Sequence, residues 1–326
     1  MCLSVLLTSC TMENIVSEPD RQEVVISLAA GTRATADGDA QDSQIGSLRV
    51  LGYHTSNLKL AFNEKINTGS AKPYKINVKT GTYLMVFIAN EHTDPALSAQ
   101  LDGITPESNP TLAYLRGQVY FRSSAFATNK DIPMVAFREN ILIEGDDKLV
   151  ENNALASVPW KVALDRLAIR MDLTLKMPAA QFDAWYGASG NKQIRFSHFP
   201  SRVYLFPKTS NEAYIDDTGL TVTYAGANPT AVDGLKSIQL NRAVILPESY
   251  FTPVGNKDNG LLMSLTDNIG QRKGTISSGE ASWGYTLPRN TYLGITATLA
   301  GPVEQEFDFT VTVVNWSDES LPWEVN

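Results

Sequence analysis

Apolar positions along this chain recur most often at every second residue, in short runs. The longest run opens with Val162 and Leu164 and continues with Leu167, Ile169, Met171, Leu173 and Leu175 on a frame shifted by one. A period of two predicts strands with one face turned to a core, and the shift reads as a bulge at Asp165-Arg166. Leu164, Leu167 and Met171 also fit helical spacing, but the long period-2 tail favours a strand. Val24, Ile26 and Leu28 likewise share one face of a strand over 22–30. Further strands are expected at 48–54, 75–79, 83–89, 118–122 and 141–143, then at 203–206, 220–224, 243–246, 261–265, 292–299 and 307–314. Only the stretch 94–115 allows short helices.

A turn-rich, polar stretch from 144 to 153, with Gly145 and Asn152-Asn153, separates two blocks of such strands. The expectation is an all-β chain of two packed sandwiches, an N-terminal one over 34–158 and a C-terminal one over 159–326. A length of 326 residues with 43% hydrophobic side chains is enough for two cores. No repeat of fixed period points to a solenoid. The net charge of −8 argues against nucleic acid as a partner.

The two cysteines, Cys2 and Cys10, both fall in the first ten residues, so no disulfide can cross-link the body of the chain. Residues 1–9 have the character of a signal peptide, although a charged start is missing. Leu7-Thr8-Ser9-Cys10 looks like a lipobox, in which cleavage before Cys10 leaves a residue that carries acyl chains and tethers the protein to a membrane. The alternative is an ordinary signal peptide with an incidental cysteine. Residues 10–33 then form a lipidated pro-segment containing the first strand. Beyond that strand the chain reads GTRATADGDAQDSQ, a loop too polar to bury, in which Arg33 is either an ordinary solvated linker residue, as the pattern alone favours, or a site for an arginine-specific protease.

Catalytic constellations are not legible. His54, His92 and His198 each stand alone in sequence, and there is no HExxH pattern, Gly-x-Ser-x-Gly elbow or phosphate-binding loop. Asp37-Gly38-Asp39 lacks the later ligands of a calcium loop. No cofactor and no enzymatic activity are expected. Trp185-Tyr186 and Trp283-x-Tyr285, with Asp183 and Arg289 near them in sequence, suit sugar stacking, but such pairs more often serve packing.

Several short pieces in order resemble the fimbrillins, pilus subunits of Bacteroides-like and Porphyromonas-like bacteria. They are the lipobox at Cys10, the strand followed by threonine-flanked Arg33, Ile132-Pro133-Met134 and the stretch VALDRLAIR at 162–170. LPRNTY at 287–292 and VTVVNW at 311–316 complete the set. The resemblance implies two transthyretin-like β-sandwich domains of Greek-key type, export as an outer-membrane lipoprotein and assembly into a surface fimbria. It also implies strand exchange after an arginine-specific protease cuts between Arg33 and Ala34. Its partners are then other fimbrial subunits, the protease, the outer membrane through the lipid and an unidentified surface receptor.

On that reading the removable strand carries Val24, Ile26 and Leu28, whose burial is worth roughly 5–9 kcal/mol. A domain stable by about 5–15 kcal/mol has to refill the groove it leaves. The candidate donor is the terminal region, where Phe307, Phe309, Val311 and Val313 share one face, or the tail alone with Leu321 and Trp323. The same pattern also describes an ordinary last strand. The competing functions are a non-polymerising fimbrial anchor or accessory protein that keeps its first strand, and a monomeric glycan-binding surface lipoprotein.

Overall fold

A computed structural model describes residues 21–30, 42, 44–66, 73–108, 110–145, 148–187, 193–208, 215–216, 219–223, 229–250, 257–266, 271–278, 284–299 and 308–315. At 21–22, 28–30, 187, 215–216, 242, 259, 266 and 308–315 it describes the backbone alone. In chain order the elements begin with β1 (Arg21–Ala30), β2 (Leu48–His54), β3 (Leu60–Ile66), β4 (Tyr74–Lys79), β5 (Gly81–Ala89), α1 (Pro95–Asp102) and α2 (Leu112–Gln118). There follow β6 (Tyr120–Arg122), β7 (Met134–Ile143), β8 (Leu149–Glu151), β9 (Ala154–Leu155), β10 (Trp160–Arg166), β11 (Ala168–Pro178) and α3 (Ala179–Gly187). Next come β12 (Gln193–Ser197), β13 (Phe199–Pro200), β14 (Arg202–Tyr204), β15 (Ile215–Asp216), β16 (Leu220–Thr223) and β17 (Thr230–Val232). The last are β18 (Leu235–Pro247), β19 (Leu262–Thr266), β20 (Gln271–Thr275), β21 (Thr291–Thr298) and β22 (Asp308–Asn315).

The chain is all-β with short helices. Its first sheet has the order β3-β2-β5-β7-β10-β1-β4, with β8 and β9 attached beyond β7. The turn from β7 to β10 rests on Val135 opposite Asp165 and Met134 opposite Arg166. Trp160 at the other end of β10 meets Phe87 of β5 edge to face at 5.5 Å. The arm β4-β1-β10 therefore lies across the remaining strands as the second layer of a sandwich. Strict alternation fits this placement: Tyr74, Ile76 and Val78 of β4 and Trp160, Val162 and Leu164 of β10 are buried between exposed neighbours. In β5, residues 83–89 are buried on both faces, because α1 and α2 cover the side away from the arm with Leu97, Leu101, Leu112 and Leu115.

A second buried cluster begins at Ile169 and is built by the sheets β17-β18-β11-β21-β22 and β16-β12-β19-β20. Phe182 and Trp185 of α3 belong to it. The two clusters are tied by β14, which pairs with β6. They are tied again by Arg289, whose Nε donates to Glu248 at 2.6 Å and whose Nη1 donates to the Leu205 carbonyl at 2.8 Å. Burial pushes the Glu248 carboxyl up, against the pull of Arg289.

Several expectations from the sequence are corrected. Residues 160–166, assigned to the second sandwich, lie in the first sheet, and Trp160, Val162 and Leu164 pack in the first core. The frame shift at Asp165-Arg166 is not a bulge within one strand but the passage from one sheet to the other. Arg166, Leu167, Ala168, Ile169 and Arg170 are all buried there, because the chain is enclosed by both cores. An irregularity does occur in β11, between Met171 and Leu173. Residue 118 closes α2 rather than opening a strand, α3 formed outside the one stretch that was expected to allow helices, and β3, β8, β9, β12, β13, β15, β17 and β20 formed where no strand was expected.

Candidate functional site

The N-terminal strand holds an interior position. β1 runs antiparallel to β4, with Arg21 to Ile26 opposite Lys79 to Tyr74, and parallel to β10, with Ile26 to Ala30 opposite Trp160 to Leu164. Val24 and Ile26 point into the core, while Glu23, Val25 and Ser27 are half-buried. Glu23 is paired with Lys75 on β4 at 2.9 Å. Two fully buried branched side chains contribute about 3–6 kcal/mol to retention of the strand, and its hydrogen bonds add to that. Removing β1 would separate β4 from β10 and open a slot floored by the first core.

The slot continues past the start of β10. There Glu23, Val24 and Val25 of β1 line a groove with residues 155–158, beyond the register of β1 with β10, and Pro159 has no N–H to offer. The groove, of about 280 Å³, is lined by Val24, Val25, Leu149, Ala156 and Trp160. Leu155 and Val158 on its rim are 69% and 79% exposed, the most exposed large apolar side chains among the described residues.

The chain downstream of the expected cleavage point is pinned independently of β1. Asp42 accepts from Arg170 Nη1 at 2.7 Å through its carboxylate and from Arg166 Nε at 2.8 Å through its carbonyl. Burial draws Arg166 down to about 10, which leaves it charged at neutral pH. Asn90, in a left-handed conformation, accepts from the Gly46 N–H at 2.7 Å and donates to the carbonyls of Gln44 and Ile132. His92 bridges Ser47 Oγ at 2.9 Å and Asp131 Oδ2 at 3.3 Å. Sequence spacing gave no hint of this Ser-His-Asp grouping, because its members come from three separate segments. Its hydrogen bonds fasten the approach to β2.

At the opposite end of the chain, β22 pairs among the described residues with β21 alone, Thr291 to Thr298 lying opposite Asn315 to Asp308, and there it closes one edge of the five-stranded sheet. Phe309, Val311 and Val313 stand on this strand at alternate positions, opposite Ala297, Ile295 and Leu293. Leu28 takes its expected place in β1 by backbone register, opposite Val162. Cys10, Arg33, Ala34, Phe307, Leu321 and Trp323 lie outside the described residues, as does Trp283.

The aromatic pair proposed for sugar stacking is core. Trp185 is fully buried, edge to face with Phe182 at 5.8 Å, and Tyr186 stacks on Phe182 at 5.3 Å. Arg289 is committed to Glu248 and two backbone carbonyls. Among the described residues no three His, Cys, Asp or Glu side chains converge as metal ligands, and no helix is long and apolar enough to cross a membrane.

No protein-family model matches the sequence, and no curated protein matches it. Solved structures do match the fold. The tip fimbrial protein Mfa3 of Porphyromonas gingivalis, solved with a C-terminal truncation, superposes with a TM-score of 0.52 at 13% identity. That match covers 91% of this chain and 100% of the other. A fimbrilin of Porphyromonas gingivalis W83 superposes with a TM-score of 0.53 at 14% identity, over 90% of this chain and 96% of its own. The fold of this chain is thus that of the Bacteroidales fimbrillins.

Proposed function

We propose that this protein is a structural subunit of a cell-surface fimbria, polymerising by strand exchange after arginine-specific cleavage. The observation that carries the reading is the interior placement of β1 between β4 and β10, with Val24 and Ile26 in the core. An interior N-terminal strand whose loss leaves a ready slot is what donor addition requires, since the vacated edges offer main-chain pairing and alternate pockets. The fold shared with fimbrial proteins supports the same role, which is structural and adhesive rather than catalytic.

In this mechanism Cys10 carries the acyl chains that hold the precursor at the outer membrane. The protease cuts between Arg33 and Ala34, and residues 10–33 leave with β1. The pins at Asp42, Asn90 and His92 keep the body folded while the slot is empty. A neighbour's terminal strand then enters the slot, and the groove beside Leu149 and Trp160 receives its overhanging end. The edge strand β22, bound on one side only, is the better candidate donor on topology. The tail with Leu321 and Trp323 is the other.

The test is to treat the purified precursor with an arginine-specific protease and look for SDS-resistant ladders without boiling. Ladders are expected for the intact chain, and none for Arg33→Ala or for a chain ending at residue 307. Ladders from Arg33→Ala would overturn cleavage-gated assembly. A mature surface protein starting at Cys10 instead of Ala34 would favour the non-polymerising anchor, in which β1 stays in place.

A further inference from the structure

A second surface stands at the junction of the two cores. β6 and β14 form a two-stranded ribbon in which Arg122 lies opposite Arg202, Phe121 opposite Val203, and Tyr120 opposite Tyr204. Phe121 and Val203 are buried, so the alternation turns the two arginines and two tyrosines to the outer face. Two like charges directly opposite on antiparallel strands are destabilising. Part of that cost is offset locally. Arg122 Nη1 reaches Asp94 at 3.4 Å, and the Arg202 guanidinium lies 4.7 Å over the Tyr120 ring.

The face extends along the chain that leaves β14. Tyr204 meets Tyr120 edge to face at 5.6 Å and carries Lys208 Nζ over its ring at 4.3 Å. Phe206 stacks on Phe137 at 3.9 Å and carries the Arg116 guanidinium at 4.9 Å. Four cations thus stand along one outward strip, three of them fixed over aromatic rings, in a chain whose net charge is −8. Because ring faces are covered by cations, the strip offers charge and phenolic hydroxyls rather than an apolar pocket. A guanidinium stacked on a ring turns its N–H edge sideways, in the geometry that meets sulfate and carboxylate in bidentate fashion.

We infer that this ribbon is a binding site for an acidic polysaccharide, its sulfate or carboxylate groups seated on Arg122, Arg202, Lys208 and Arg116 and its hydroxyls on Tyr120 and Tyr204. A short run of charged sugars matches a strip of this kind. Nucleic acid calls for an extended basic surface on a basic domain, whereas this chain has a pI near 5.0. An acidic peptide would meet the same cations but leave the tyrosine hydroxyls unused, and poly-aspartate in the titration separates the two. The inference rests on the cell-surface reading only for where such a ligand is met, and it does not depend on polymerisation.

The experiment uses full-length Arg33→Ala protein, kept uncleaved, in calorimetric titrations with heparin fragments, hyaluronan and neutral dextran. Heparin and hyaluronan separate sulfate from carboxylate as the recognised group. Binding to one or both that weakens with salt is expected, with none to dextran. Arg122→Ser/Arg202→Ser should weaken it by about tenfold or more, as expected for lost charge-assisted bonds. Because Arg122 also meets Asp94, Arg116→Ser/Lys208→Ser serves as a second variant, expected to show a several-fold loss with unchanged thermal unfolding. Lys79→Ser on β4 should change nothing. Equal binding to dextran, no binding at all, full retention by both double variants, or tighter binding to poly-aspartate or DNA would each overturn the inference.

Discussion

The first and last strands of this chain invite comparison, because both alternate apolar and polar residues and both lie near a terminus. β1 is paired on both sides and drives Val24 and Ile26 into the first core, whereas β22 is paired on one side and ends its sheet. A strand bonded along one edge can leave without splitting the sheet behind it. One bonded along two cannot. The arrangement teaches which strand is costly to lose; under the proposed exchange, that strand is the one replaced, and the singly paired one is the candidate donor.

The comparison is broken most directly by a charge in each strand. Ile26→Asp should cost the uncleaved precursor more than about 4 kcal/mol, since it buries an unpaired carboxylate. Val311→Asp on β22 should cost clearly less. Urea unfolding of both variants checks this, and equal losses would make β22 as integral as β1. Next in size is Trp160→Ala, which removes a fully packed wall of the slot and its edge contact with Phe87 and should cost about 3–5 kcal/mol. It should also weaken donor capture, read as fewer rungs in the ladder.

Asp42→Ala takes one carboxylate from Arg170 while leaving it Asp172, and about 3 kcal/mol of stability should go. If the pin at Asp42 protects the cleaved body, this variant should aggregate faster than the parent after protease treatment and match it before, as followed by light scattering. The smallest effect is expected from Leu155→Ser. This rim residue is mostly exposed, so precursor stability should stay within about 0.5 kcal/mol. Any change in assembly rate would then report the groove itself, and an unchanged rate would remove the groove from the mechanism.

Much of the local structure was legible before any coordinates. The strand at 48–54 formed with those limits, and 75–79 and 83–89 formed with slightly longer ones, since period-2 alternation and flanking turns are local properties. One short helix fell within 94–115, where Asp94 caps α1 by accepting from the N–H groups of Ala96 and Leu97, and a second began there at Leu112 and ran on to Gln118. The net charge of −8 hid the local strip at Arg122, Arg202, Arg116 and Lys208, because a sum over the chain carries no positions.

The sequence by itself determined that β1 and β10 are strands and which of their side chains face a core. Alternation states the face of a strand and nothing about its neighbours. Only the tertiary structure decided that β10 sits beside β1 in the first sheet, that β1 is interior and β22 an edge, and that Trp185 is core. It also decided that Arg122 and Arg202 stand opposite each other, though 80 residues apart in the chain. Those pairings are between distant segments and are fixed by how whole layers cover one another, which no window of neighbouring residues contains.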